Sequence, residues 1–139
     1  MLYQGEAIKQ LIPQRAPIMM VDAFVSADGD EAQTALTIAA DNLFVEDGVM
    51  AEPGLIEHIA QSASAFAGYR AVSQGLPVPI GYIGELKKFH LYSRPAVGAT
   101  LRTTITMGTE VNGITMLSGV TRVGDEVVAD TTMKIFVEE

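Results

Sequence analysis

The chain has 139 residues, of which 48% are hydrophobic, and this predicts a single folded domain over residues 1–139 rather than a disordered segment. Its net charge of −8 argues against nucleic acid as a partner, because phosphate contacts need lysine and arginine. The absence of cysteine excludes disulfides, thiol catalysis and thiolate metal sites. No run approaches the ~18 apolar residues of a membrane span and no secretory signal is present, so we expect a cytoplasmic protein.

The first third of the chain predicts a short helical turn followed by a β-hairpin. The turn covers residues 6–11, and the strands cover residues 18–27 and 31–38. Asp28-Gly29 supplies the turn between them, and the second strand has the period-two alternation of a half-buried strand. An irregular loop is expected over residues 41–52.

Residues 53–74 form the one segment that is long and periodic enough for a substantial helix. Pro53 suits a first helical turn, and Gly75 can adopt the positive φ that ends a helix. A mostly apolar stripe contains Leu55, Ile59, Ser62, Phe66 and Tyr69. A second stripe contains Glu57, Gln61, Ser64 and Gly68. Because most other positions are alanine, we expect other elements to wrap the helix.

The remainder of the chain predicts extended structure. The expected segments are residues 80–92, 101–107, 114–122 and 127–137, with turns at Asn112-Gly113 and Gly124-Asp125. Strands and helix are segregated, which favours an α+β fold over a βαβ arrangement. An antiparallel sheet that curls around one buried helix satisfies this pattern.

The chain contains LIPQRAPIMMVDAF at residues 11–24, EHIAQ at residues 57–61, and Lys88-Phe89 with Arg94-Pro95 and Gly98. In their shared order, these three stretches resemble the β-hydroxyacyl-acyl-carrier-protein dehydratases of fatty-acid synthesis. Residues 11–24, LIPQRAPIMMVDAF, resemble that family's Leu-Pro-His-Arg-x-Pro segment and the Leu-Val-Asp strand after it. Residues 57–61, EHIAQ, resemble its central-helix Glu-Ala-Met-Ala-Gln. Lys88-Phe89 with Arg94-Pro95 and Gly98 resembles its Arg-Phe-x-Arg-Pro-x-x-x-Gly stretch. The resemblance spans residues 8–137 and implies a hotdog fold, in which an antiparallel sheet wraps one long central helix.

The resemblance also implies a function. Glu57 takes the place of the family's catalytic carboxylate, and Gln61 that of its helix glutamine. The substrate would be a (3R)-hydroxyacyl thioester of fatty-acid, lipid or polyene biosynthesis, carried on the phosphopantetheine of acyl-carrier protein, with no other cofactor and no metal. Dimers or larger assemblies of dimers are implied, either of identical chains or with a homologous dehydratase.

The chain departs from this family in the loop before the helix. The family carries Gly-His-Phe-Pro-Gly there, whose histidine completes the catalytic pair, whereas residues 42–52 contain no histidine. This is similar to dehydratase-like proteins of polyene pigment clusters. His58 and His90 are the candidates to replace it. His58 points about 100° around the helix from Glu57. His90 lies on a strand that, in a hotdog dimer, runs along the interface and could reach the partner's Glu57.

Removing water from the substrate needs a base for the Cα proton, an acid for the hydroxyl and donors for the thioester oxygen. We expect the N–H groups of Gly54 and Leu55, at the helix start, to be those donors. Gln61 and Ser64 follow Glu57 along the same side of the helix, and we expect them to contact substrate.

Four of the nine basic residues fall between positions 87 and 102: Lys87, Lys88, Arg94 and Arg102. They are either an ordinary solvated rim or a docking patch for an acidic partner. With the resemblance, that partner would be acyl-carrier protein.

Three functional hypotheses remain open. The first is a dehydratase that uses Glu57 with a relocated second group. The second is a thioesterase of the same fold, in which Glu57 activates water. The third is a non-catalytic acyl-binding subunit that pairs with an active dehydratase, and the missing loop histidine motivates it.

Overall fold

The computed structural model describes residues 1–78 and 80–138, and for residues 80–84, 137 and 138 it describes the backbone alone. The chain-order elements are β1 (Tyr3–Gln4), a 3-10 helix (Gly5–Gln10), β2 (Ala23–Asp28), β3 (Glu31–Thr37), β4 (Val45–Glu46), β5 (Val49–Met50), α1 (Glu52–Ser73), β6 (Ile80–Leu91), β7 (Thr100–Val111), β8 (Ile114–Val123) and β9 (Glu126–Glu138). Within these residues, no helix combines the length and the apolar character that crossing a membrane requires.

Seven strands form one antiparallel sheet in the order β1-β2-β3-β7-β8-β9-β6. Residues that alternate along β7 separate its two faces: Leu101 and Ile105 are fully buried, whereas Arg102 between them is exposed. Ile59 of α1 packs with Ile105, so the helix covers this inner face. The predicted α+β class, with a sheet around one long helix, is confirmed.

The helix is buried much as its stripes predict. Leu55, Ile59 and Phe66 are each no more than 1% exposed, and Tyr69 stacks on Phe24 with ring centroids 5.0 Å apart. Two clusters of buried side chains meet along α1, one around Phe24 and Phe66 and one around Met50 and Leu55. This burial stabilises a helix that has little charge of its own in its middle.

The prediction of a strand over residues 18–27 was wrong at its beginning, because β2 starts at Ala23. The Met20 N–H donates to the Gln61 side chain, and the Met20 and Ile18 carbonyls accept from His58 and Gln61. Side chains of the helix thus form hydrogen bonds with backbone groups that, in a strand, would pair with a neighbouring strand.

The loop predicted over residues 41–52 contains a small hairpin, β4 and β5, joined at Asp47-Gly48. Both turn residues have positive φ, 53° and 80°, which asparagine, aspartate and glycine tolerate best. Val49 also forms an isolated bridge with Ala96, which ties the hairpin to the segment before β7. The helix therefore starts from an ordered loop.

The chain segment before β2 crosses α1 at very close range, and Gly68 makes that crossing possible. A Cβ atom built on Gly68 would overlap the carbonyl oxygen of Leu11. Leu11 is fully buried in the cluster that holds Phe24 and Phe66. The absence of a side chain at Gly68 therefore sets how closely the N-terminal segment packs on the helix.

We expect Gly68→Ala to lower the free energy of unfolding by about 1–3 kcal/mol, because the added methyl group must displace buried backbone. Alanine is favoured over glycine within a helix by about 1 kcal/mol, so the expected sign is opposite to that of helix propensity. Urea unfolding followed by circular dichroism measures the change. Ser64→Ala, half-buried on the same helix, is the control and should change stability by about 0.5 kcal/mol or less. An unchanged or stabilised Gly68→Ala protein would contradict the packing.

Candidate functional site

Glu57 and Gln61 lie one turn apart in the first half of α1. Gln61 is fully buried, and its amide is oriented by the backbone: Oε1 accepts the Met20 N–H at 2.6 Å and Nε2 donates to the Ile18 carbonyl at 2.7 Å. Its second amide hydrogen is then directed to Glu57 Oε2, with the two atoms 3.2 Å apart. Glu57 is half-buried, and within the described residues its Oε1 accepts no hydrogen bond. Gln61 therefore positions one carboxylate oxygen and leaves the other available for chemistry.

His58 lies next to Glu57 in sequence but points into the core. It is fully buried, with Nδ1 2.7 Å from the Met20 carbonyl and Nε2 2.8 Å from Thr103 Oγ1. A carbonyl can only accept, so Nδ1 carries the proton and Nε2 accepts from the Thr103 hydroxyl. Thr103 Oγ1 in turn lies 2.7 Å from Thr121 Oγ1, which continues the chain of hydrogen bonds across β7 and β8.

Burial lowers the pKa of His58 from 6.5 to about 4, against the opposing effect of the hydrogen bond with the Met20 carbonyl. The imidazole is therefore neutral near pH 7, and both of its nitrogens are occupied. This geometry argues against the predicted catalytic role of His58 and favours a structural one.

His90 lies at the sheet edge, on the face that α1 does not cover. Its Nδ1 is 2.9 Å from Asp130 Oδ1, and the Tyr92 hydroxyl donates to Asp130 Oδ2 at 2.8 Å. Asp130 alternates along β9 with Ala129 and Thr131, which are buried on the inner face. The hydrogen bond from His90 is the main reason that the pKa of Asp130 is lowered.

An antiparallel partner strand added at β6 would continue both faces of the sheet without exchanging them. The His90 ring would then stay on the face opposite to the partner's helix. The arrangement therefore argues against the predicted reach of His90 to the partner's Glu57.

The backbone N–H groups of Gly54 and Leu55, at the start of α1, are buried and already hydrogen-bonded in this structure. The Gly54 N–H donates to the Ala51 carbonyl at 2.9 Å, and the Leu55 N–H points to the same oxygen at 3.4 Å. Gly54 and Leu55 are both buried, and a Cβ on Gly54 would lie 2.5 Å from Phe44 Cβ. The predicted donors for a thioester oxygen are thus covered by Phe44, which directly precedes β4. Ser64, by contrast, is half-buried on the same helix side as Glu57 and Gln61.

The four predicted docking residues lie at separate places. Arg94 holds the β4–β5 hairpin, since its Nε donates to the Met50 carbonyl at 3.0 Å and its guanidinium lies 3.7 Å from Glu46. Lys87 and Lys88 are on the edge strand β6, where Lys88 sits in a bulge with φ of 49°. Arg102 is on β7, with β8 and β9 between it and β6. These four basic residues, although close in sequence, therefore do not form one docking patch on the surface.

Two residues that hydrogen-bond near His58, Thr103 and Thr121, were not predicted from the sequence. Thr103 and Thr121 occupy inward positions of their strands, among apolar neighbours, and such buried hydroxyls require a polar partner. That pattern could have indicated a buried histidine. As for metals, no three histidine, aspartate or glutamate side chains come together among the described residues.

Comparison with known proteins identifies the family. The model of the family described as ApeP-like, ApeP dehydratase, matches residues 6–139. The chain belongs to the ApeP-like dehydratase family. The divergent dehydratase branch indicated by the missing loop histidine is thereby confirmed. A search of curated proteins finds no match.

Solved structures share the fold at low sequence identity. A chain of the dehydratase heterocomplex ApeI:P from Xenorhabdus doucetiae has a TM-score of 0.88 and 13% identity, covering 95% of this chain and 91% of that chain. Conserved protein PA5202 from Pseudomonas aeruginosa has a TM-score of 0.71 and 19% identity, with coverages of 94% and 98%. A phenylacetic-acid-degradation-related protein from Ralstonia eutropha JMP134, described as a candidate thioesterase, has a TM-score of 0.65 and 13% identity, with coverages of 83% and 83%. These similarities confirm the hotdog fold.

The buried His58 predicts a pH dependence of stability within this fold. The unfolded chain binds a proton at this histidine near pH 6.5 and the folded chain only near pH 4, so protons favour unfolding between those values. The stabilisation is complete above pH 6.5 and is lost as the pH falls toward 4, by about 3 kcal/mol in total. Urea unfolding of the wild type at several pH values between 7.5 and 4 measures the free energy of unfolding.

His58→Gln is the comparison, because it removes the titrating group and leaves every carboxylate in place. We expect the stability of the wild type to fall more steeply with decreasing pH than that of the variant. Parallel pH profiles for the two proteins would contradict the assignment of His58 as a buried neutral imidazole.

Proposed function

We propose that this chain is a subunit of a dehydratase that removes water from 3-hydroxyacyl thioesters, with Glu57 as one of the two acid–base groups. The observation that supports this is the carboxylate itself: Glu57 is half-buried and oriented by Gln61, a residue whose own orientation is fixed by backbone hydrogen bonds. A positioned carboxylate of this kind suits proton transfer.

The second acid–base group comes, in this proposal, from a histidine of a homologous hotdog chain. Within this chain, His58 is enclosed in the core and His90 is paired with Asp130 on the face of the sheet that α1 does not cover. The similar solved structure named a dehydratase heterocomplex supports a pairing between two related chains. The site is therefore incomplete in one copy of this chain.

The reaction needs two proton movements. One group takes the proton from Cα, and the other protonates the leaving hydroxyl, so that a carbon–oxygen bond breaks and an enoyl thioester and water result. Glu57 and the partner's histidine share these two steps. The substrate arrives on the phosphopantetheine of acyl-carrier protein, and we invoke no further cofactor. Gln61 donates to the carboxylate throughout and keeps it in one orientation.

Turnover of a 3-hydroxyacyl-pantetheine thioester tests the proposal. We expect this chain alone to be inactive, and its complex with a histidine-bearing hotdog dehydratase from the same organism to form the enoyl product. Glu57→Gln should lower the rate of the complex by about 100-fold or more, since a general acid or base contributes about 10²–10⁴-fold. Enoyl formation is followed by absorbance.

Glu52→Gln, an exposed carboxylate at the start of the same helix, is the matched control and should leave the rate unchanged. Complex formation is verified for each variant by size-exclusion chromatography. Full activity of the complex with Glu57→Gln, or a Glu57-independent rate from this chain alone, would overturn the proposed role.

A thioesterase is the second candidate, favoured by the fold shared with the Ralstonia eutropha protein described as a candidate thioesterase. In that case Glu57 would activate water for attack on the thioester carbonyl. The same assay separates the two functions when free thiol is measured beside the enoyl product. Thiol release without enoyl formation, lost in Glu57→Gln, would assign the thioesterase.

A further inference from the structure

Two arginines face each other on the outer side of the sheet. Arg102 of β7 and Arg122 of β8 are directly opposite in the strand register, and both side chains are exposed. Like charges that lie opposite one another across two strands repel. On a chain with a net charge of −8 and nine basic residues, such a pair concentrates positive charge at one place.

Most of the other basic residues already have partners within the chain. Lys9 pairs with Glu6, Arg70 with Asp30, Arg94 with Glu46 and Lys134 with Glu85, and Arg15 donates to three backbone carbonyls. Arg102 and Arg122 make no salt bridge or side-chain hydrogen bond with any described residue. Across residues 1–78 and 80–138 they are the arginines that remain open to an external anion.

A groove begins at the same arginine. Its volume is about 420 Å³, and Asp22, Thr37, Thr100 and Arg102 are among the residues that line it. The Thr37 and Thr100 hydroxyls lie 3.0 Å apart along its wall. Asp22 is its acidic group: Oδ2 accepts the Thr37 N–H at 2.9 Å, and burial raises the pKa of this carboxyl.

We propose that the acidic acyl-carrier protein that delivers the substrate docks on this part of the sheet. The docking site consists of Arg102, Arg122 and the groove. This rests on the proposed function for the partner's identity. Arginine presents a planar fork that matches carboxylates, and two adjacent forks suit the acidic side chains of one protein surface. The groove gives the surface a concave part, with hydroxyl groups for the polar side chains of the partner. The docking site therefore differs from the set of basic residues that are adjacent in sequence.

The test measures binding of apo-acyl-carrier protein to the complete chain. The apo form lacks the phosphopantetheine phosphate, so its binding reports the carboxylate surface alone. We expect Arg102→Gln/Arg122→Gln to weaken binding at least tenfold in 50 mM salt. Wild-type affinity should fall as salt is raised to 200 mM, and the double variant should show a weaker salt dependence.

Two matched variants remove the same number of positive charges elsewhere. Lys9→Gln/Lys134→Gln removes cations that are already paired and should change the affinity less than twofold. Lys87→Gln/Lys88→Gln tests the edge strand. A larger loss in this last variant than in the arginine variant would overturn the proposal, as would wild-type affinity in the arginine variant.

Inorganic phosphate separates a docking surface from a site for small anions. Saturable binding of millimolar phosphate that displaces the apo carrier protein, and that is lost in Arg102→Gln/Arg122→Gln, would overturn docking in favour of a small-anion site. Turnover of the free pantetheine thioester by the complex gives an independent readout, since it needs no docking. If turnover depends on Glu57 while the arginine variant binds carrier normally, the docking proposal fails and the proposed function stands.

Discussion

Three hydrogen bonds from the first half of α1 to the chain segment before β2 determine much of this structure. Gln61 binds the backbone of Ile18 and Met20, and His58 binds the carbonyl of Met20. These side chains replace the strand neighbours that the segment lacks, and an unpaired buried backbone group would be costly. The two bonds of Gln61 also fix its amide, and through it the carboxylate of Glu57. Structural support and the candidate chemistry therefore share one polar network.

The sequence predicted the helix, its buried stripe and most of the strands, because these follow from local periodicity and turn residues. It did not predict where β2 begins, since residues 18–22 are as apolar as a strand and their partners lie 38 to 43 residues further along the chain. The buried position of the His58 ring likewise depends on a hydrogen bond with Thr103, 45 residues away. Long-range hydrogen bonds of this kind leave no local pattern.

The same distinction applies to charge. Helical spacing places Glu57 and Gln61 on one side of α1, and the resemblance of residues 57–61 to the dehydratase helix singled them out as site residues. In a sheet, however, positions close in sequence diverge to different strands, and the register decides which side chains meet. Arg102 thus lies beside Arg122 rather than beside Lys87 or Lys88. The closure of the helix start by Phe44 is also a tertiary contact, made by a loop whose composition showed only that it lacks histidine.

The position of β6 in the sheet has a consequence for how the protein is made. This strand is the next element after α1 in the chain, but it pairs with β9, the last of the nine strands described. During synthesis its twelve residues emerge long before their partner, and α1 emerges before the strands β7 and β8 that it packs against. Pairing between distant segments is slow, and an unpaired strand is prone to aggregation. Until β9 has left the ribosome, β6 lacks the strand that it pairs with, and its free edge can meanwhile pair with other chains.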